Sequence, residues 1–252
     1  MTKLPFQTLE EVKEGRVLLF DKPLTWTSFD VVNKVRGTIK HTFGIKKIKV
    51  GHAGTLDPLA TGVLIICTGK KTKTIESLQA EMKTYTGTFR LGATTPSYDA
   101  ETEVDNWGEK EKIEALRLEQ ISKSASSMVG DLDQMPPIFS AKKVDGKVAY
   151  KAARRGETLQ LRTKRISIFK FDVTNLDVKE VDGHLVADVD FEIQCSKGTY
   201  IRAIARDIGK ALHVGGTLVE LRRTRSGDFK VEDAFDLEDF ISSVKLLAPI
   251  KD

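Results

Sequence analysis

The feature that most constrains the fold is a block of two-residue alternation in the second half of the chain. Residues 158–174 and 184–195 alternate between apolar and polar side chains over most of their length, as in DVDFEIQC at the end of LVADVDFEIQC (185–195). A strand repeats every two residues, so this pattern buries one face and wets the other, as antiparallel sheets do. TYTGTFRL at 84–91 alternates likewise, VLIIC at 63–67 reads as a buried strand closed by TGKK, 217–222 returns to strand spacing, and VLLF at 17–20 is a short apolar run. Helical spacing is predicted over FDVVNKVRGTIKH (29–41), with Ser28 as its cap and positions 29, 32 and 35 on one face. It is also predicted over the acidic stretch 109–129, over 150–155, over 199–212, and within EDAFDLEDFISSV at 232–244. The strands are not interleaved with helices in a βαβ rhythm. The expected fold is therefore α+β, a largely antiparallel mixed sheet flanked by helices. With no internal repeat and no obvious linker, residues 1–252 are expected to form a single domain.

Charge is segregated along this chain. Between Asp30 and Glu76 the sole carboxylate is Asp57, against nine Lys or Arg and two His. Residues 138–170 carry ten basic side chains and two acidic ones, and residues 194–225 carry seven and two. Residues 99–119 reverse the balance, with eight acids and three bases. A net charge of +4 says little, but this distribution is the footprint of a polyanion binder with a positive face.

Several classes are disfavoured. No apolar run approaches the roughly 20 residues of a membrane span, and MTKLPFQTLEEVKEG lacks the apolar centre of a secretory signal. The two cysteines, Cys67 and Cys195, match no zinc or redox spacing, so a reduced, cytoplasmic protein without a structural metal is expected. Neither GxxxxGKS nor GxGxxG occurs, which disfavours nucleotide-cofactor chemistry.

Asp57, in LDPLATG, is read equally well as a turn residue or as a functional acid. The functional reading requires an ionised carboxylate, and surrounding cations favour that form. Such a group can attack carbon or stabilise a developing positive centre. No second carboxylate lies close in sequence for a paired acid-base plan.

The segment GHAGTLDPLATGVL (51–64) resembles the catalytic motif of the TruB family of tRNA pseudouridine synthases. Five more blocks resemble that family in its own order: LLFDKPLTWTSFDVV, KTYTGTFRLGATTPSYDAE, QMPPIFSAKKVDGKVAYKAARRGE, CSKGTYIRAIARDIG and LVELRRTRSG, spanning about 17–227. The resemblance implies the pseudouridine synthase fold, with an active-site cleft across the sheet. It implies isomerisation of the T-loop uridine of tRNA, at conventional position 55, to pseudouridine, with no metal and no cofactor. Asp57 falls on the catalytic aspartate, and Arg202 on the arginine that pairs with it. Tyr85 matches the tyrosine that stacks on the target base and accepts the C5 proton. His52 matches the histidine that holds the loop with its target nucleotide flipped out, Tyr200 a pocket tyrosine, and Leu221 an apolar wall of the pocket. Lys22 and Asp99 lie in matching blocks and are given supporting roles.

Without the resemblance, each has a plainer reading. Tyr85 and Leu221 would be strand core, His52 a hydrogen-bonded structural histidine, and Arg202 a surface helix residue. The implied partner is the T arm of tRNA, gripped through phosphates by candidates among Lys40–Lys49, Lys70–Lys73 and Lys142–Arg155, with no membrane and no obligate protein partner. About 25 residues follow position 227, too few for the C-terminal PUA domain of many relatives, so none is expected. The alternatives are a relative acting on another RNA or under a guide RNA, and, in a different class, a tRNA-binding folding chaperone.

Overall fold

A computed structural model describes residue 6 and residues 8–139, 143–144, 147–148, 155 and 161–247. The described chain falls into two compact units, one built from residues 1–83 and 222–252 and the other from 84–221. Both are α+β with largely antiparallel sheet.

The first unit starts with α1 (Leu9–Glu14), β1 (Val17–Lys22) and α2 (Ser28–Thr42). The cap of α2 is Thr27, not Ser28: Thr27 Oγ1 accepts from the Asp30 amide at 3.1 Å and the Asp30 carboxylate accepts from the Thr27 amide at 2.9 Å. The buried face of α2 is likewise shifted from the expected one, to Ser28, Val31, Val32, Val35, Ile39 and Thr42, while Phe29 faces outward. The set Phe29, Val32 and Val35 fits helical spacing, but the β-branched row 31, 32, 35 and 39 fits it better. Then come β2 (Val50–His52), β3 (Ala60–Thr68), a 3-10 turn at Gly69–Thr74 and α3 (Ile75–Ala80). Strands β1 and β2 both pair antiparallel with β3, setting Lys22 opposite Gly62 and His52 opposite Ile66.

The second unit takes up the chain in β4 (Lys83–Leu91), followed by the short pair β5 (Ala93–Thr94) and β6 (Asn106–Trp107). The acidic stretch forms two helices where one was expected, α4 (Lys110–Glu114) and α5 (Leu118–Ser127). Arg117 makes the break: its amide donates to Gln120 Oε1 at 3.1 Å, and its guanidinium donates to the carbonyls of Glu114 and Leu116 at 2.8 Å each. After β7 (Gly130–Gln134) come a two-residue pair, β8 (Lys143–Val144) and β9 (Lys147–Val148), and the long hairpin β10 (Lys164–Val181) and β11 (His184–Cys195). The expected strand at 158–174 thus starts later and runs further. Its first three positions, and nearly all of the expected helix at 150–155, lie outside the described residues. The hairpin turns on Asp182 and Gly183, both in the left-handed region (φ 52° and 76°), as an Asp-Gly turn requires.

Helix α6 (Ile201–Ala211) follows, then β12 (Gly216–Ser226), β13 (Phe229–Lys230) and α7 (Leu237–Lys245). Strand β12 is divided between the two units, residues 216–221 falling in the second and residues 222–226 in the first.

Each unit has its own core. In the first, α2 and α7 pack on β1 and β3 through Val31, Val35, Ile39, Phe20, Leu64, Ile66, Phe240 and Val244. Phe20 meets Phe240 edge to face at 4.9 Å. In the second, Phe89 stacks on Phe191 at 3.9 Å, with Phe171 edge-on to both, and α5 packs on β10. Burying each of these large side chains stabilises by about 1.5–3 kcal/mol. Cys67 and Cys195 are both buried, one in each unit.

Candidate active site

In the first unit Asp57 sits, half-buried, on the loop joining β2 to β3. Both flanks of that loop are fastened. Ser28 Oγ accepts from the Leu56 amide at 2.8 Å and donates to the Leu56 carbonyl at 3.1 Å, clasping the residue just before Asp57. On the other side the Pro58 carbonyl accepts from the Thr25 amide at 2.9 Å and from Lys22 Nζ at 3.2 Å. The Ala60 amide donates to the Asp57 carbonyl at 3.0 Å, closing the turn. Just after the loop, Gly62 of β3 sits at φ 102°, where a Cβ would stand 2.2 Å from the Arg223 carbonyl oxygen, so only glycine lets β12 come this close.

Two buried cations support this loop. Lys22 is 1% exposed, and its ammonium donates to the carbonyls of Pro23 (2.8 Å), Trp26 (2.6 Å) and Pro58 (3.2 Å). Burial lowers its pKa to about 8. The negative charges of Asp57, Asp30 and Asp21 act against that shift, and the positive charge of Arg223 acts with it. Arg223 is also 1% exposed and donates to the Val63 carbonyl at 2.8 Å and the Gly54 carbonyl at 3.1 Å, one on each side of Asp57 in sequence. His52 is half-buried, and burial, then the Arg223 charge, hold its pKa below the ordinary histidine value. Asp21 accepts a two-point ion pair from Arg222 (3.0 and 2.6 Å) and the Gly62 amide at 3.1 Å. Of the expected site residues, the first unit thus gathers Asp57, His52 and Lys22.

The second unit holds Tyr85, Asp99, Tyr200, Arg202 and Leu221. Tyr85 is 9% exposed on β4. Two residues on, a Cβ at Gly87 would lie 2.1 Å from the Glu220 carbonyl oxygen, so β4 and β12 run close together next to Leu221. Arg202, on the first turn of α6, is 4% exposed and pairs with Asp99 at 3.3 Å. It also donates to the carbonyls of Ser97 (3.0 Å) and Phe139 (2.8 Å). Asp99 lies in a tight turn in which Thr95 and Ser97 hydroxyls donate to its carbonyl and its carboxylate accepts from the Glu101 amide. Tyr200 precedes α6 and is fixed by Gln134, whose amide oxygen accepts from the Tyr200 amide at 2.8 Å and whose amide nitrogen donates back at 3.1 Å.

Sequence reasoning did not single out Arg223, Ser28 as a loop clasp, or Gln134. Arg223 lies within LVELRRTRSG, but nothing in the string shows that it is buried. Asp99, given a supporting role, turns out to be a carboxylate partner of Arg202.

Comparison with known proteins bears on this arrangement. Residues 40–201 match the model of the TruB family pseudouridylate synthase N-terminal domain, and residues 202–248 match the tRNA pseudouridylate synthase B C-terminal domain. The chain belongs to the TruB family of pseudouridylate synthases. It is 48% identical over 239 residues to tRNA pseudouridine synthase B of Flavobacterium johnsoniae, covering 94% of this chain and 100% of that protein. With the protein of the same name from Phocaeicola vulgatus it is 52% identical over 228 residues, or 90% and 92% of the two chains. Among solved structures, one described as a crystal structure of a Cbf5-Nop10-Gar1 complex matches with a TM-score of 0.65 and 28% identity. That match covers 92% of this chain and 54% of the other, so this chain spans about half of the solved one. The second family model carries the similarity past residue 227, through α7.

Proposed function

We propose that this chain is a tRNA pseudouridine synthase that isomerises the T-loop uridine without cofactor or metal. Its near full-length similarity to proteins named tRNA pseudouridine synthase B carries the reading. In it Asp57, ionised, acts on the reacting nucleoside: the C1′–N1 bond breaks, the base turns while held, and a C1′–C5 bond forms. Tyr85 stacks on the base and takes the C5 proton, while N1 gains one, so the atoms balance. Stacking is what an extruded base needs in place of its lost neighbours. Arg202 supports the ionised Asp57. His52 keeps the loop open around the target nucleotide, Tyr200 and Leu221 line the base pocket, and Lys22 and Asp99 hold the supporting backbone and guanidinium. The enzyme works in the cytoplasm on the T arm of tRNA without an obligate protein partner.

Asp57→Asn tests the chemistry. Incubated with unmodified tRNA transcript and no guide RNA, it should bind as the unaltered protein does. Its pseudouridine formation should fall by about 10²–10⁴-fold, the range for loss of a positioned catalytic group. Wild-type turnover by this variant would refute the assignment of Asp57. Product mapped outside the T loop would move the substrate to another RNA, and tRNA binding with no product would favour the chaperone.

A further inference from the structure

Helix α2 turns Ser28, Val31, Val32, Val35, Ile39 and Thr42 inward, and Phe29 outward with 57% of its surface exposed. A lone exposed aromatic is ordinary, but this one has company. The Arg36 guanidinium lies 5.7 Å from the Phe29 ring centroid. Its direction is fixed, because it donates to Asn33 Oδ1 at 3.0 Å and to the Val50 carbonyl at 3.2 Å. Alongside opens a cleft of about 450 Å³, lined by Thr25, Trp26, Asp30, Asn33 and Lys34. Its one acid, Asp30, is engaged in the start of the helix, accepting from the Thr27 amide at 2.9 Å and the Thr27 hydroxyl at 2.6 Å. The next 26 positions, 31–56, hold six Lys or Arg and no acid. The location matters as well: Ser28, the neighbour of Phe29, clasps Leu56, and Thr25 holds the Pro58 carbonyl, so this surface adjoins the Asp57 loop.

We propose that Phe29, backed by Arg36, is a stacking platform for an unpaired base of the substrate RNA, and that the Trp26–Lys34 cleft takes the adjoining nucleotide with its phosphate near Lys34. The proposal rests on the reading of the protein as an RNA-modifying enzyme and adds a subsite outside its catalytic residues. Every base offers a π-face, so an aromatic ring with a fixed cation beside it holds a nucleotide whatever its identity.

The test measures affinity for unmodified tRNA transcript at several salt concentrations, together with pseudouridine formation. Phe29→Ala should weaken binding about ten-fold, the loss of one base–aromatic stack, and leave the slope of log affinity against log salt unchanged. Phe29→Trp should restore wild-type affinity, and neither substitution should move the melting temperature, since the ring is outside the core. Lys34→Ala should lower the slope by about 1. Binding of Phe29→Ala within two-fold of wild type, or a loss that flattens the salt slope, overturns the platform. Normal pseudouridine formation by the unaltered protein alongside an unaffected Phe29→Ala sinks this inference alone. A Phe29→Ala binding defect in a protein that makes no pseudouridine supports the platform and sinks the functional reading instead.

Discussion

Lys22 and Arg223 in the first unit and Arg202 in the second are all buried cations, yet they are held differently. The hydrogen bonds described for Lys22 and Arg223 end on main-chain carbonyls, five of them in total, and three belong to Gly54, Pro58 and Val63 around Asp57. Arg202 has two carbonyls, of Ser97 and Phe139, and the carboxylate of Asp99 besides. Carbonyl dipoles solvate a cation without cancelling its charge, so its field persists and opposes further protonation nearby. That field contributes to the lowered pKa of both Lys22 and His52. A carboxylate sets an opposite charge beside the cation and fixes the guanidinium in one orientation. The first arrangement shapes a loop and its electrostatics, and the second locks one side chain.

The largest effect expected from this contrast is at Asp99. Asp99→Ala leaves the Arg202 guanidinium buried without that carboxylate and should destabilise the protein by about 3–5 kcal/mol in chemical denaturation. A change below about 1 kcal/mol would show that the carbonyls suffice there too. Next comes the pH dependence set by Lys22. Its folded pKa, about 8, lies below its ordinary 10.5, so between those values the unfolded chain holds a proton that the folded chain has released. Stability contributed by this group therefore rises as pH goes from about 8 to 10.5, and the penalty of the buried charge is fully present below 8. The stability of wild type minus that of Lys22→Met should climb by about 1–3 kcal/mol across that window, and a flat difference would place Lys22 in a more polar setting. The smallest effect belongs to Arg223→Lys, which keeps the charge and loses the fork that spans Val63 and Gly54. It should cost about 1–2 kcal/mol of stability. Turnover should fall more than tRNA affinity does, because the loop carrying Asp57 loses one support while the RNA-facing surface is intact. Equal loss of both would make Arg223 an RNA contact.

What the sequence disclosed follows from how local each signal is. The hairpin of β10 and β11 was legible because alternation over 185–195 and the Asp182-Gly183 turn both act within a few residues. The Asp57 loop was legible because family resemblance fixes positions directly. The cap of α2 was missed by one residue, since Thr27 and Ser28 are both good caps and Ser28 is drawn away by Leu56, 28 positions along the chain. The break at Arg117 was missed because both halves of 109–129 carry helical spacing. Arg223 was missed for a related reason: its partner Gly54 is 169 positions away, and no short-range pattern shows that a guanidinium is buried.

That separation also sets an order of events during synthesis. The first unit is interrupted by the second, so the turn bearing Asp57 emerges from the ribosome 169 residues ahead of the side chain that braces Gly54. At ordinary elongation rates of roughly 5–20 residues per second, the delay is on the order of 10–30 s. Through that interval the nascent chain carries its acid on a loop held by Ser28, Thr25 and Lys22, and the Arg223 brace arrives only after the whole intervening unit has been translated.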